Sequence, residues 1–322
     1  MIKKFITYCL FFISSCNYLY SDSIKIGLGS CLDQDYPQPI WDTIEAEALN
    51  YFIFLGDNVY GDTPSGSLRK MKSAYDKQKN ILPNFLNEVQ IYSIWDDHDY
   101  GLNDGGSDYK YKKKAQQLYL NFWEVPLSDD RSNRDGVYFS TNEVFFDKKF
   151  KFIFLDTRFF RSKLKGKKSN YVENTDLEAT ILGEEQWDWF EDELESDFDF
   201  LFIFSSIQII AENHRFEKWS NFPNEKSKFF TLIEEFKDKI LLFSGDRHRA
   251  GIYKQDEIIE ITSSSMNKPG SSFDETDDYL IGNTYPQENF TVLEIFENSI
   301  EIKIKDIKGN ILNSIKRKHH KN

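Results

Sequence analysis

The sequence predicts an α/β domain whose central strands are buried on both faces and whose C-terminal strands are antiparallel. Residues 51–55 are continuously apolar, and residues 198–204 are apolar except for Asp199, which is typical of strands covered on both faces. Amphipathic helical segments alternate with such runs. From residue 257 onward the apolar residues recur with period two, which indicates antiparallel strands.

The predicted elements follow one another without a linker or an internal repeat. Strands are predicted at residues 23–28, 51–55, 89–94, 150–155, 198–204 and 239–243, and helices at 41–49, 67–78, 108–123, 183–194 and 224–236. A β-hairpin is predicted within 136–146, and the polar residues 162–180 are predicted to form a mobile surface excursion. Residues 257–262, 289–296, 299–307 and 311–316 are predicted to form one antiparallel meander. We therefore predict a single domain over residues 23–318.

The composition limits the class of protein. Of the 322 residues, 40% are hydrophobic and 16% aromatic, which excludes a disordered chain and permits a large core. The formal net charge of -13 argues against a long polyanionic partner, so no nucleic-acid partner is expected. No protein partner is predicted. Two basic stretches, at 161–168 and from Lys316 to the end, are interpreted as solvated surface.

The N-terminus predicts export. Lys3 and Lys4 precede a short apolar stretch at 5–13, so residues 1–22 resemble a signal peptide rather than a membrane-spanning helix. The sequence at 13–16 also resembles a bacterial lipoprotein box, in which Cys16 would be lipidated and would attach the protein to a membrane. Ordinary cleavage near residues 20–23 is the alternative. We expect a periplasmic or extracellular protein, either soluble or anchored as a lipoprotein.

The cysteine count singles out one thiol. The chain has three cysteines, and Cys9 and Cys16 belong to the predicted signal. Cys31 therefore has no partner for a disulfide within the body of the protein. Because it follows a strand and lies beside other ligand-type residues, it is a candidate metal ligand.

Polar residues follow six of the predicted strands. In α/β sheets, binding sites form beyond the carboxyl ends of the strands, so these residues are expected to converge on one face. They are Cys31, Asp57, Tyr60, Asp97, His98, Arg158, Ser206, Asp246 and His248. One such cluster alone would be explained by a turn, whereas six together favour a binding site.

The residue types predict two unlike metal positions. A thiol, a phenol and an imidazole, those of Cys31, Tyr60 and His248, suit a trivalent or borderline transition metal. Carboxylates suit a hard divalent cation. The stretch WDDHDYG at 95–101 supports this second position, because three carboxylates in four residues call for a nearby positive charge.

Asp97 and Asp246 are the candidates for the hard cation, and Asp57 could bridge both positions. Two metals ~4 Å apart orient an attacking oxygen and stabilise a phosphoryl transition state. The sequence therefore favours phosphate-ester chemistry. It contains neither a glycine-rich phosphate loop nor a serine nucleophile elbow.

Two further residues are candidates for catalysis. The guanidinium of Arg158 matches the oxygens of a phosphate, although an ion pair with Asp156 or another acid is an equally good interpretation. His98 could protonate the leaving oxygen. It could instead be a metal ligand or orient Asp57.

The motifs together resemble a known family. They are GSC at 29–31, LGDNVYGD at 55–62, WDDHDYG at 95–101, LDTR at 155–158, LGEEQW at 182–187 and SGDRH at 244–248. In this order they resemble the PhoD-like (alkaline phosphatase D) family of the calcineurin-like metallophosphoesterase superfamily. The resemblance extends from about Ile24 to the C-terminal strands.

This resemblance implies a four-layer α/β/β/α sandwich of two mixed β-sheets, closed by antiparallel strands. It also implies hydrolysis of phosphate monoesters or diesters by a metal-activated hydroxide. The implied metals are Fe(III) and Ca(II), with Zn, Mn or Mg as alternatives. By motif, iron would be held by Cys31, Asp57, Tyr60 and His248, and calcium by Asp57, Asp97 and Asp246, with His98 as the acid.

Three departures from the wider superfamily argue against a simple two-zinc centre. Cys31 stands in place of the usual first Asp-x-His motif, Asp97 replaces an Asn, and Asp246 replaces a His.

The sequence is compatible with three functions. The first is scavenging of phosphate from organic esters. The second is cleavage of diesters in phospholipid or cell-wall headgroups. The third is a non-catalytic, secreted calcium-binding protein. The loops that would decide the substrate are at 101–110, 162–180 and 212–224.

Overall fold

The computed structural model describes residues 23–271 and 274–318. The predicted signal peptide, with Cys9 and Cys16, lies outside these residues. Within them, no helix has the length and apolar character needed to cross a membrane.

Fourteen strands and six α-helices make up the described part of the chain. The strands are β1 (Ile24–Gly29), β2 (Tyr51–Leu55), β3 (Gln90–Ile94), β4 (Phe139–Phe145), β5 (Lys148–Phe154), β6 (Lys165–Lys167), β7 (Asn170–Val172), β8 (Phe200–Phe204), β9 (Ile240–Ser244), β10 (Gly251–Gln255), β11 (Ile258–Thr262), β12 (Asn289–Phe296), β13 (Ser299–Asp306) and β14 (Ile311–Lys318). The helices are α1 (Ile40–Glu45), α2 (Met71–Ile81), α3 (Asp97–Tyr100), α4 (Lys112–Phe122), α5 (Gly183–Leu194) and α6 (Pro223–Ile233).

Two mixed six-stranded sheets form the centre of the molecule. The first has the order β14-β13-β12-β1-β2-β3, in which β1, β2 and β3 are parallel and the other pairings are antiparallel. The second has the order β10-β11-β9-β8-β5-β4, with antiparallel strands only at its two edges. Apolar residues of both sheets form one core between them.

Phenylalanine fills much of this inter-sheet core. Because β5 and β8 pair in register, Phe150 stacks on Phe200, and Phe152 stacks on Phe202, with ring centroids 4.7 and 5.3 Å apart. These rings are buried, and stacked aromatic pairs add stability beyond their buried area.

Helices cover the outer faces of both sheets. Trp187 and Phe190 of α5 pack with Phe229 of α6 on the outer face of the second sheet. Trp41 of α1 packs against Phe52 of β2 on the first sheet. The arrangement is therefore the four-layer α/β/β/α sandwich that the resemblance implied.

The structure differs from the sequence prediction at several elements. Strand β11 pairs in parallel with β9, so residues 257–262 do not belong to the antiparallel meander, which consists of β12, β13 and β14. Strand β10 was not predicted, and residues 162–180 contain the hairpin β6–β7. The first helix ends at Glu45 rather than at residue 49, and Ala48 adopts a left-handed conformation with φ of 53°.

Candidate metal centre

Sharp turns follow β1, β2 and β9, and they direct side chains into one region. Cys31, Asp57, Asp246 and His248 all have left-handed backbone, with φ of 56°, 53°, 62° and 51°. This conformation is uncommon for residues other than glycine, and it persists where the surroundings fix it, often at functional sites.

The turns after β2 and β9 lie in close contact. A Cβ on Gly245 would stand 2.6 Å from the carbonyl oxygen of Leu55, so this position requires glycine. The contact brings the side chains that follow the two strands into one site.

The first group of donor atoms surrounds one point. The donor atoms of Cys31, Asp57 and His248 lie within 4.8 Å of one another. Cys31 Sγ is 3.5 Å from Asp57 Oδ2. The hydroxyl of Tyr60 is 3.2 Å from the same oxygen and 3.5 Å from His248 Nε2. The four residues assigned by resemblance to iron are thus brought together.

A second group shares Asp57 with the first. Donor atoms of Asp57, Asp97 and His98 also lie within 4.8 Å of one another. Asp97 Oδ2 accepts a hydrogen bond of 2.6 Å from the backbone N–H of Asp104. Its Oδ1 is buried and has no hydrogen-bond partner among the described residues. A buried carboxylate oxygen without a partner is costly, and a cation would satisfy it.

Asp246 lies in the same cavity. This cavity measures about 290 Å³, and its walls include Asp57, Asp97, His98 and Asp246. The structure thus places all six proposed ligands and His98 around one region.

The site gathers several acidic groups in a buried position, which disfavours their negatively charged forms. Burial, together with the carboxylate of Asp97, raises the pKa of Asp246 to about 6. Burial likewise raises the pKa of the Cys31 thiol to about 11 and that of Asp57 well above its usual value. Since desolvation disfavours the charged forms, a positive ion at this point would stabilise them.

His98 is held by a carboxylate that the sequence did not single out. Its Nδ1 lies 2.7 Å from Asp62 Oδ1, and its Nε2 lies 3.9 Å from Asp97 Oδ1. Burial alone would lower the pKa of His98. The carboxylates of Asp97, Asp57 and Asp62 outweigh this effect and raise the pKa well above its usual value.

Arg158 does not face the cavity. It is fully buried, and its guanidinium binds Asp96 and Glu217, with Nη1 2.5 Å from Glu217 Oε2. Glu217 in turn pairs with Arg161 Nε at 2.6 Å. The ion pair with a neighbouring acid is therefore what the structure shows, and it corrects the assignment of Arg158 as a phosphate-binding residue. Ser206 is also buried and donates a hydrogen bond to Asp96 Oδ1.

Lys268 contacts two of the proposed ligands. Its carbonyl oxygen accepts a hydrogen bond from His248 Nδ1, which leaves Nε2 free for a metal. Its ammonium lies 3.6 Å from the centroid of the Tyr60 ring and 2.5 Å from Asp33 Oδ2. No sequence pattern pointed to Lys268, because it lies 20 residues beyond the SGDRH motif. Asp62, by contrast, is within the LGDNVYGD motif and could have been considered.

The donor set fits two metal ions of different character. The first group of donor atoms joins the thiol of Cys31 and the imidazole of His248 to Asp57, with the Tyr60 hydroxyl beside them, whereas the second joins Asp57 to the carboxylate of Asp97 and the imidazole of His98. The orphaned Oδ1 belongs to Asp97, a member of the second group.

A family model described as PhoD-like phosphatase matches residues 68–289, more than half of the chain. The chain belongs to the PhoD-like phosphatase family. As a member, it is a phosphoric ester hydrolase, and membership of this metallophosphoesterase family implies that it binds divalent metal.

Solved structures share the fold of this PhoD-like phosphatase. A structure of PhoD aligns with a TM-score of 0.69 at 13% identity, covering 94% of this chain and 72% of the other. GAP50, described as the anchor in the inner membrane complex of Plasmodium, aligns with a TM-score of 0.64 at 14% identity, covering 94% of this chain and 90% of the other. A purple acid phosphatase from yellow lupin (Lupinus luteus) aligns with a TM-score of 0.60 at 14% identity, covering 92% of this chain and 54% of the other. No curated protein matches the sequence of this PhoD-like phosphatase.

Proposed function

We propose that this PhoD-like phosphatase is an exported enzyme of the alkaline phosphatase D type that hydrolyses phosphate monoesters, diesters or both at a centre of Fe(III) and Ca(II). The observation that carries this proposal is that Asp57 belongs to two groups of donor atoms at once. A shared carboxylate between unlike ligand sets is what a mixed two-metal site requires.

The proposed ligands divide between the two ions as their chemistry suggests. Iron would be held by Cys31, Tyr60 and His248, and calcium by Asp97 and Asp246. Asp57 would contact both. When bound, such ions supply an activated water nucleophile and neutralise charge on the phosphoryl group.

His98 is the proposed general acid. Asp62 holds Nδ1 at 2.7 Å, which fixes the ring and leaves Nε2 directed away from this bond. His98 also lines the cavity. It can therefore carry a proton on Nε2 toward the leaving oxygen of a bound ester.

Elemental analysis with matched variants tests the metal assignment. We expect the purified protein to contain iron and calcium and to release p-nitrophenol from p-nitrophenyl phosphate at alkaline pH. Cys31→Ala should lose iron, and Asp57→Asn should lose both metals and activity. Asp76→Asn is the control, because Asp76 forms an exposed pair with Lys72 on α2. This variant should keep both metals and full activity. Full metal content in the first two variants would contradict the assignment.

A diester substrate is the second candidate. A further cavity of about 490 Å³ adjoins the site and shares Phe216 and Glu275 with its wall, which leaves room for a second alcohol group. Rates on p-nitrophenyl phosphate and on bis-p-nitrophenyl phosphate distinguish the two substrate types. Calcium binding without turnover of either ester would instead favour the non-catalytic function.

Export and anchoring through Cys16 are proposals from the sequence alone. We expect the protein outside the cytoplasm of the producing cell. If Cys16 is lipidated, the protein will fractionate with membranes, and Cys16→Ser will release it. A mature N-terminus near residues 20–23, found by mass spectrometry, would contradict lipidation.

A further inference from the structure

A basic hairpin stands at the edge of the candidate site. It consists of residues 163–172, in which β6 and β7 are joined by Lys168 and Ser169. Both of these turn residues line the cavity that also holds Asp57 and His98. We call this segment the basic hairpin.

The lysines of the basic hairpin have no carboxylate partner in the part of the chain that the structure describes. Lys163, Lys165, Lys167 and Lys168 are all exposed, and the sequence from 161 to 172 contains no Asp or Glu. Within residues 23–271 and 274–318, none of these four lysines forms an ion pair with a carboxylate. Four unpaired lysines within six residues stand out in a protein with a net charge of -13, and they create a local field that attracts anions.

The other cations of the cavity wall are already paired. Arg247 Nη2 lies 2.6 Å from Glu275 Oε1, and Arg249 Nε lies 3.4 Å from Oε2 of the same residue. Arg158 is buried behind the cavity with Asp96 and Glu217. Of the lysine and arginine side chains that line the cavity, Lys168 of the basic hairpin is therefore the one that no carboxylate pairs with among the described residues.

The basic hairpin is held in a fixed position beside the proposed calcium ligand. Lys168 Nζ donates a hydrogen bond of 3.0 Å to Asn103 Oδ1, and Asn103 Nδ2 lies 3.2 Å from Asp97 Oδ2. The hydroxyl of Tyr171 binds Asp104 Oδ2 at 2.8 Å. These contacts keep the ammonium of Lys168 one amide group away from Asp97, at the rim of the cavity.

The remaining lysines extend this charge away from the cavity. Gly166 pairs with Tyr171 in the hairpin, so Lys165 and Lys167 lie on the opposite face from Tyr171. Since Tyr171 is directed at Asp104, these two lysines form the outer surface. The charge thus runs from the cavity rim outward.

We propose that the basic hairpin binds a second phosphate group on the alcohol portion of the substrate, so that the preferred substrates are phosphate esters with a further anionic group. The proposal rests on the proposed phosphoesterase function. The reacting phosphate would be held at the metal centre. Lys168 lies at the rim of the same cavity, separated from Asp97 by the side chain of Asn103. A second phosphate joined through a short carbon skeleton would meet the lysines.

Paired sugar phosphates test this inference. The probes are fructose 6-phosphate and fructose 1,6-bisphosphate, with release of inorganic phosphate as the readout. We expect kcat/KM to be about tenfold higher for the bisphosphate, within the range of electrostatic steering, and the preference to shrink as salt rises from 50 to 300 mM. The triple variant Lys165→Gln, Lys167→Gln, Lys168→Gln should lose about tenfold more kcat/KM on the bisphosphate than on the monophosphate.

A second triple variant controls for the change in net charge. It removes three exposed lysines outside the basic hairpin, at Lys114, Lys149 and Lys308. We expect this control to keep the preference for the bisphosphate. Unfolding midpoints in urea should be the same for both triple variants, because all six side chains are exposed.

Several results would overturn the inference, and they differ from failure of the proposed function. Equal kcat/KM on the two sugars, or an equal loss on both in the hairpin variant, would refute it while p-nitrophenyl phosphate is still turned over. Loss of binding to phosphatidylglycerol vesicles in the hairpin variant, with unchanged substrate preference, would also refute it and favour contact with a membrane. If no ester at all is hydrolysed, the proposed function itself fails.

Discussion

The buried ion pairs behind the metal centre allow a quantitative prediction about stability. Asp96 and Glu217 carry two negative charges, and Arg158 and Arg161 carry two positive charges. All four side chains are at most 2% exposed. Replacing Glu217 with Gln would leave one guanidinium charge uncompensated among side chains that are almost completely buried.

We expect Glu217→Gln to lower the free energy of unfolding by about 3–5 kcal/mol, the cost of breaking a buried ion pair by removing one partner. The carboxylate oxygens lie 2.5 Å from Arg158 Nη1 and 2.6 Å from Arg161 Nε. In the Gln variant, the amide N–H group would replace one of these oxygens and would face an N–H donor of Arg158 or Arg161, so one hydrogen bond would be lost. The assay is urea denaturation at constant metal concentration, because bound metal stabilises the native state by mass action.

Glu191→Gln is the matched control. Glu191 forms an exposed pair of 2.8 Å with Lys228, and both side chains are more than 40% exposed. Its loss should change the free energy of unfolding by only about 0–1 kcal/mol, as for other exposed ion pairs. The two variants change the net charge equally. A difference between their losses of unfolding free energy therefore reflects the burial of the Glu217 ion pairs.

A double variant separates charge balance from local packing. In Glu217→Gln with Arg161→Met, the buried charges are again equal in number. The double variant should therefore be less destabilised than the sum of the single variants, with a coupling of about 0.5–3 kcal/mol. If Glu217→Gln costs less than about 1 kcal/mol with an unchanged m value, or if the two changes are additive, the charge argument is refuted.

The other predictions concern the proposed acid, a buried histidine and Lys268. His98→Gln should lower kcat on p-nitrophenyl phosphate about 10²–10⁴-fold with metal content unchanged, and Asp62→Asn about 10–100-fold; loss of metal from the first variant would make His98 a ligand instead. Burial and nearby cations lower the pKa of His214 well below its usual value, so the folded state binds fewer protons than the unfolded state. Stability should therefore be present above pH ~6.5 and lost as the pH falls further, and urea midpoints at pH 8.0 and 5.5 should differ less in His214→Gln. If iron is bound as proposed, Lys268→Met, which removes a positive charge 3.6 Å from the Tyr60 ring, should shift the tyrosinate–iron absorption band to longer wavelength; an unchanged band would show that this charge does not act on the ring.

The part of the fold that could be predicted is the part set by strand burial and strand order. Continuous apolar runs identified β2, β8 and β9, and polar residues after them indicated the edge at which Asp57 and Asp246 meet. Pairing between distant strands could not be predicted in this way. The alternating pattern of β11 fits an edge strand as well as its actual place beside β9.

The site shows the same division. Residue type and position after a strand predicted Cys31 and Asp57, whose donor atoms the structure brings together. The same reasoning failed for Arg158, because a guanidinium matches carboxylates as well as phosphate, and the sequence does not show that Glu217 returns to this point from 59 residues away. Lys268 could not be found for a similar reason, since its contact with Tyr60 depends on the chain returning after β11.

The correction to Arg158 changes how the substrate is expected to be held. With its guanidinium bound by Asp96 and Glu217, Arg158 contributes charge balance behind the centre rather than a contact to phosphate. Binding of an anionic ester in this acidic protein then depends on the metal ions and on cations that no carboxylate has neutralised. The basic hairpin supplies such cations at the cavity rim, because it contains no acid and none of its lysines forms an ion pair within the described residues. The stretch that the sequence suggested was merely solvated surface therefore becomes the part of the molecule most suited to selecting the substrate.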